Sequence, residues 1–204
     1  MTDQIFSMSF TSGTLLYHES IIIANLYADL GDWDAVRDVV VGENRLQMRT
    51  LNASQRIFQE VSSRLRLLTG PESDLLRAGT RAEQNYLLWL GICKRYRFIY
   101  DFAVGSLHER FLQLDMVLGY EEYDVFFNRM AEWHPEVERV AASTRRKQRQ
   151  VVFKMMREAD LLSDDGRIQA AIFSPRLIET IQADDPGHFA IFPIAEHDLK
   201  ARTG

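Results

Sequence analysis

Residues 143–174 constrain the fold more than any other stretch. The run Ser143-Thr144-Arg145-Arg146-Lys147-Gln148-Arg149-Gln150 leads into Val152, Met155, Met156 and Ala159 at helical spacing, and Leu161-Leu162 and Asp164-Asp165-Gly166-Arg167-Ile168 follow at once. Basic helix, short strand, Asp-Gly turn and second strand, in that order, spell a winged helix-turn-helix. The spacing predicts a helix from Arg145 to Asp160, about 24 Å long, and a strand with Ile168, Ala170 and Ile172 on one face, ended by Pro175.

Helical phasing separates the side chains of this segment. Arg146, Lys147, Arg149, Lys154 and Arg157 fall opposite the apolar stripe, whereas Arg145 and Gln148 project nearer to it, which removes Arg145 from the expected contacts. The cations crowd the helix N-terminus, where the helix dipole is already positive. Helix stability does not explain their density there, which is consistent with a polyanionic partner. A major groove admits one α-helix, whose N-terminal residues meet the base edges. The expected DNA contacts are therefore Arg146, Lys147, Arg149 and Gln150 in or at the groove, with Lys154, Arg157 and Arg167 on phosphates. Apart from Gln148 and Gln150, and any exposed arginine against guanine, little here reads bases, so low sequence specificity is expected. The competing reading is a solvated charged helix face.

The rest of the chain sets the background. Net charge is −5 and the isoelectric point about 5.6, so a wholly basic nucleic-acid coat is excluded and phosphate binding must come from patches. A single cysteine, Cys93, allows no internal disulfide and fits a reducing cytoplasm; its apolar neighbours Trp89-Leu90-Gly91-Ile92 mark a packed thiol. No run reaches the ~18–20 apolar residues that span a bilayer, and Met1-Thr2-Asp3-Gln4-Ile5 lacks the basic start of a signal peptide. A soluble, cytoplasmic protein is expected.

The chain reads as mainly α: a helical bundle over residues 1–133 and, after the turn at Trp133-His134-Pro135, a winged helix-turn-helix-like unit with a small β-hairpin and a C-terminal arm over 134–204. Ser12 or Thr11 can cap a first helix that stops at Gly31. Asp32 caps a second, opening with Trp33. Asn52 or Ser54 begins a third, which Thr69-Gly70-Pro71 ends; a short helix follows to about Ala78. Thr80 and Glu83 form a capping box for a long central helix over about 81–103. Further helices are expected near 106–117, 120–132 and 135–142, and the apolar run His188–Ile194 reads as an extra strand or an arm packed on the body.

Two further basic groups stand out. Lys94, Arg95 and Arg97 interleave with Tyr96, Phe98 and Tyr100, and Arg45, Arg49, Arg56, Arg64 and Arg66 spread over two N-terminal elements. Arg45, Arg49, Arg56, Lys94, Arg95 and Arg97 form a candidate second basic surface, with snorkelling cations and local ion pairs as the alternative. Chemistry-bearing patterns are absent. The histidines 18, 108, 134, 188 and 197 have no metal-ligand spacing, and there is neither a phosphate-binding glycine loop nor a serine elbow. Asp164-Asp165 and Asp184-Asp185 read as turn chemistry. No enzyme, cofactor or metal is expected.

The N-terminal third carries a resemblance. Ser9-Phe10-Thr11-Ser12-Gly13, Glu19-Ser20, Ala24, Leu26-Tyr27, Gly31-Asp32-Trp33, Val36-Arg37, Asn44, Leu46-Gln47, Arg49-Thr50, Ser54 and Arg56 resemble the opening signature of the BrxA family of BREX (bacteriophage exclusion) defence systems. The resemblance implies an accessory double-stranded DNA-binding protein beside the other BREX proteins, with no activity of its own. The family has also carried an inner-membrane label, from which this sequence departs. Its N-terminal part is similar to helical antitermination-factor domains, which leaves structured RNA open. An adaptor that docks its basic helix on an acidic partner is a further reading. Ser12, Glu19, Asp32, Trp33 and Arg37 match the signature and read best as caps, core and intrahelical pairs.

Overall fold

The computed structural model describes residues 6–11, 13–195 and 199, and they are mainly helical. α1 (Tyr17–Leu30) closes at Gly31, whose φ of 68° lets its N–H reach the Tyr27 carbonyl. α2 (Trp33–Gly42) starts on Asp32, which accepts from the Ala35 N–H at 2.8 Å. α3 (Leu51–Leu65) is capped by Thr50 rather than by Asn52 or Ser54, because Ser54 is turned into the core. Thr69 does more than end α3: with Glu72 it makes a capping box for α4 (Gly70–Ala78), and Thr80 and Glu83 make the expected box for α5 (Arg81–Arg95).

The long helix expected over 81–103 is two helices. Tyr96 is extended (φ −121°, ψ 92°), and α6 (Arg97–Phe102) follows at a new angle, running into a π-helical turn (Ala103–His108) and α7 (Glu109–Leu112). The break satisfies two packing demands. Tyr96 stays buried and donates to Glu60 Oε1 at 2.7 Å, while Phe98 turns into a cluster with Phe6, Phe10, Tyr123, Phe126 and Phe127, ring centroids 5.2–5.9 Å apart. The helix expected over 106–117 stops at Leu112, and Leu114 has a positive φ of 61°.

α5 lies at the centre, with Leu87, Trp89, Leu90 and Ile92 fully buried and Trp89 Nε1 donating to the Ile191 carbonyl at 3.1 Å. Buried residues from Phe6 to Ile194 form one contiguous core. Then come α8 (Tyr120–Ala131), α9 (Pro135–Glu138) and α10 (Ala142–Glu158). Beyond α10 the chain doubles back. Leu162 pairs antiparallel with Ile168, and Arg167 pairs antiparallel with Val117. The Leu118 N–H donates to Gly166, Ile168 to Met116, Ser163 to Arg167 and Gln169 to Leu161, all at 2.9–3.0 Å. The expected alternation of Ile168, Ala170 and Ile172 fails after Ile168: Ala171 and Phe173 are buried, and Ile172 is 66% exposed. There the chain leaves the ladder, the Ala171 N–H bonding Pro193 and the Ile172 N–H bonding the Tyr86 hydroxyl.

α11 (Pro175–Asp184) and a 3-10 turn (Pro186–Ile191) complete the chain's descent onto the body, and Ile191, Phe192 and Ile194 are buried as a packed arm, not a strand. Glu83 fastens this end. Its carboxylate accepts from the Thr80 N–H (2.6 Å), Ser174 Oγ (2.5 Å), Arg176 Nε (2.6 Å) and Arg176 Nη2 (2.5 Å). The Arg176 guanidinium above all holds its pKa at about 2, below the usual 4.5.

At the other end an irregular arm precedes α1. Phe6 and Phe10 are buried; the Phe6 N–H donates to Glu136 at 2.8 Å, Gln148 Nε2 donates to the Met8 carbonyl at 2.6 Å, and the Leu15 N–H donates to Glu158 at 2.7 Å. The arm thus crosses α10, and α1 starts at Tyr17, later than Thr11 would place it, because Phe10 and Leu15 are needed in the core. Ser12 and His197 lie outside the described residues.

Candidate nucleic-acid interface

α10 is two-faced. Val152, Met155, Met156 and Ala159 are fully buried, as their spacing predicts, and so is Gln148. Arg146, Lys147, Gln150 and Lys154 are exposed. Arg146 and Lys147 have no ion pair or hydrogen bond among the described residues. Along a 17-residue helix, about 25 Å long, these side chains form a polar stripe open to solvent.

The other expected contacts have internal partners. Arg149 is 22% exposed, bonds Asp124 and lies over the Tyr120 ring at 4.6 Å. Arg145 donates to the same Asp124 carboxylate at 2.9 Å and to the Asn128 side-chain oxygen Oδ1 at 2.7 Å, with its guanidinium over Phe127. Asp124 is thus a fork that locks α8 to α10. Arg157 faces the fully exposed Asp164 at 3.9 Å, and Arg167 faces Asp165 at 3.7 Å; pairs this long and this wet are worth well under 1 kcal/mol. Arg167 stands 68% exposed at the turn, where the short ladder ends.

Most of the second basic set has partners within the protein. Lys94 is 10% exposed, held between Glu72 and Asp184 at 2.7 Å each. Arg97 pairs with Asp101 at 2.7 Å, and Arg95 lies over the Tyr96 ring at 5.1 Å. Arg45 pairs with Glu43 at 2.8 Å. Arg49 and Arg56 are exposed, and Arg56 borders a shallow groove with Asn52, Gln55 and Gln59 along α3. Arg64 is buried against Glu60 and Thr14. Cys93 is 1% exposed, and burial pushes its thiol pKa well up. Among the described residues no group of His, Cys, Asp and Glu could hold a metal ion, and no helix is long and apolar enough to cross a membrane.

Sequence reasoning missed the arm. Thr11, Gly13 and Thr14 form one wall of a groove of about 520 Å³ whose other wall is Lys147, Gln150, Lys154 and Arg157 of α10. Phe6, Met8 and Phe10 alternate with polar residues, the period-2 pattern of an extended segment with one buried side, and this pattern could have revealed it.

The fold is that of a solved class of helical protein. A crystal structure titled as an uncharacterized protein from Magnetospirillum magneticum superposes with a TM-score of 0.79 at 17% identity, covering 93% of this chain and 98% of that one. The family is also defined: the BrxA family profile matches residues 4–185, and the chain belongs to the BrxA family. A relative in Escherichia coli O9:H4 (strain HS), named BREX protein BrxA, is 24% identical over 172 residues, 83% of this chain and 81% of the relative.

Proposed function

We propose that this chain is a non-enzymatic, double-stranded DNA-binding component of a BREX phage-defence system, acting in the cytoplasm with the other BREX proteins. The observation that carries the reading is the solvent-facing stripe Arg146, Lys147, Gln150 and Lys154 on α10, opposite a fully buried apolar face. Family membership and the name of the Escherichia coli relative supply the setting.

In this reading residues 116–169 are a winged helix-turn-helix. The order supports it: a short paired segment at 116–118, α8, α9, α10, then the paired segments at 161–163 and 167–169 with the turn between them. The unit begins before the 133/134 division expected from the sequence, because the segment at 116–118 and α8 are integral to it. α10 lies in the major groove, Lys154 and Arg157 meet phosphates, and Arg167 at the wing tip meets the adjacent backbone. Arg149 binds Asp124 first and positions the helix, reaching DNA only along its exposed edge.

Anisotropy with a random duplex across a salt series tests this. Four to six phosphate contacts give a log–log slope of about −4 to −5, and Arg146→Glu with Lys147→Glu should abolish binding at moderate salt. Salt-independent affinity, or a double variant that binds like the parent, refutes it. No shift at low salt with BREX partners still co-purifying would establish the adaptor instead, and preference for hairpin RNA in competition would establish an RNA binder.

A further inference from the structure

We propose that Thr11, Gly13 and Thr14 of the arm are the second jaw of a phosphate clamp, and that the groove between them and α10 seats one backbone phosphate of the bound nucleic acid. The inference rests on the DNA reading above and adds to it a part of the chain far in sequence from the helix-turn-helix.

Three cations of α10 line the groove. Lys147, Lys154 and Arg157 are spaced to share one helix face. None of them is strongly engaged. Lys147 has no partner among the described residues, Lys154 meets Glu158 only at 3.7 Å while 58% exposed, and Arg157 meets Asp164 only at 3.9 Å. Glu158, the acid that faces Lys154, already accepts the Leu15 N–H at 2.7 Å, so its charge is partly committed to the arm.

The opposite wall supplies hydroxyls. Thr11 and Thr14 line the groove, and their side chains make no hydrogen bond among the described residues. Hydroxyls and cations around one concavity are the groups that hold backbone phosphates. The wall is also fixed in advance. The Met8 carbonyl is tied to Gln148, the Thr14 carbonyl to Arg64 at 2.8 Å, and Phe10 is fully buried. A pinned arm loses little further freedom on binding. Gly13 turns the wall at φ 99°, a conformation that side chains rarely adopt. The clamp gives a use to Thr11, Gly13 and Thr14, which the helix-turn-helix reading left without one.

Three variants test the clamp on the full chain against the same random duplex. Thr11→Glu puts a negative charge at the partly exposed jaw; it should cut affinity more than tenfold with an unchanged melting temperature. Thr11→Val with Thr14→Val removes only the hydroxyls and should cost about threefold. Lys154→Gln with Arg157→Gln should cost about tenfold or more and make the salt slope shallower by about 1 to 2. If the parent binds duplex through Arg146 and Lys147 but both arm variants bind like the parent, the arm is no part of the grip and the clamp is refuted. If millimolar inorganic phosphate binds the parent but not Thr11→Glu, while duplex affinity ignores the arm, the groove is a free-anion site and the backbone assignment falls. If the parent binds no duplex at low salt, both the DNA reading and the clamp fall together.

Discussion

Replacing Glu83 by glutamine should loosen the C-terminal end in a way that depends on pH. Glu83 is 4% exposed and accepts five hydrogen bonds from Thr80, Ser174 and Arg176 at 2.5–2.9 Å. A carboxyl held at about 2 instead of 4.5 represents roughly 3 kcal/mol of preference for the ionised folded form, at ~1.4 kcal/mol per pH unit. Arg176 is 52% exposed, so solvent screening reduces this to about 2 kcal/mol. Because the folded pKa lies below the unfolded one, the contribution is complete above about pH 4.5 and is lost as pH falls from there through about 2. Glu83→Gln should therefore cost about 2 kcal/mol at pH 7 in urea unfolding monitored by circular dichroism, and less than half of that at pH 3. In the glutamine background, Arg176→Ala should be nearly silent. A cost that stays constant between pH 7 and pH 3 would show that glutamine disturbs packing and that the charge pair with Arg176 contributes nothing, which refutes the reasoning.

Three other outcomes are expected. Phe98→Ala removes the ring shared by the arm, α6 and α8, and should cost about 3–5 kcal/mol, lowering the melting temperature by about 10 °C in calorimetry; a loss below 1 kcal/mol would mean the cluster is loosely packed. Gln148→Leu orphans the Met8 carbonyl while removing an amide oxygen that has no partner of its own, so the net cost should be about 1 kcal/mol, with faster proteolysis within residues 6–14 as its mark. Cys93 should resist a thiol reagent in the native protein and react at full stoichiometry in denaturant, since burial keeps it both shielded and protonated; rapid native labelling would contradict the packing of α5.

What was legible in the sequence was local. Asp32, Gly31 and the Thr80–Glu83 box lie within a turn of the termini they define, and the buried stripe of α10 repeats at helical spacing over a single element. The break at Tyr96 was not legible, because two successive helices with differently directed apolar faces read as one helix that is apolar all round. Nor could spacing show that Asp124 would hold Arg149 or that Glu72 and Asp184 would enclose Lys94, since each partner comes from another element. The short ladder was half legible: Asp164-Asp165-Gly166 marks its turn, but its third segment, 116–118, arrives from before α8. The arm's alternation is present in the sequence, but nothing in the first residues says that their partner stands in α10.

The bond from the Leu15 N–H to Glu158 joins residues 143 apart in sequence, and this sets an order of events during synthesis. At about 5–20 residues per second, the arm leaves the ribosome some 7–30 s before the helix it must cross has been made. Throughout that interval Phe6 and Phe10 have no finished surface to rest on. Docking of this segment on α10 must then wait until α10 has been made, and a chain stalled before residue 148 would hold Phe6 and Phe10 open to chaperones and proteases.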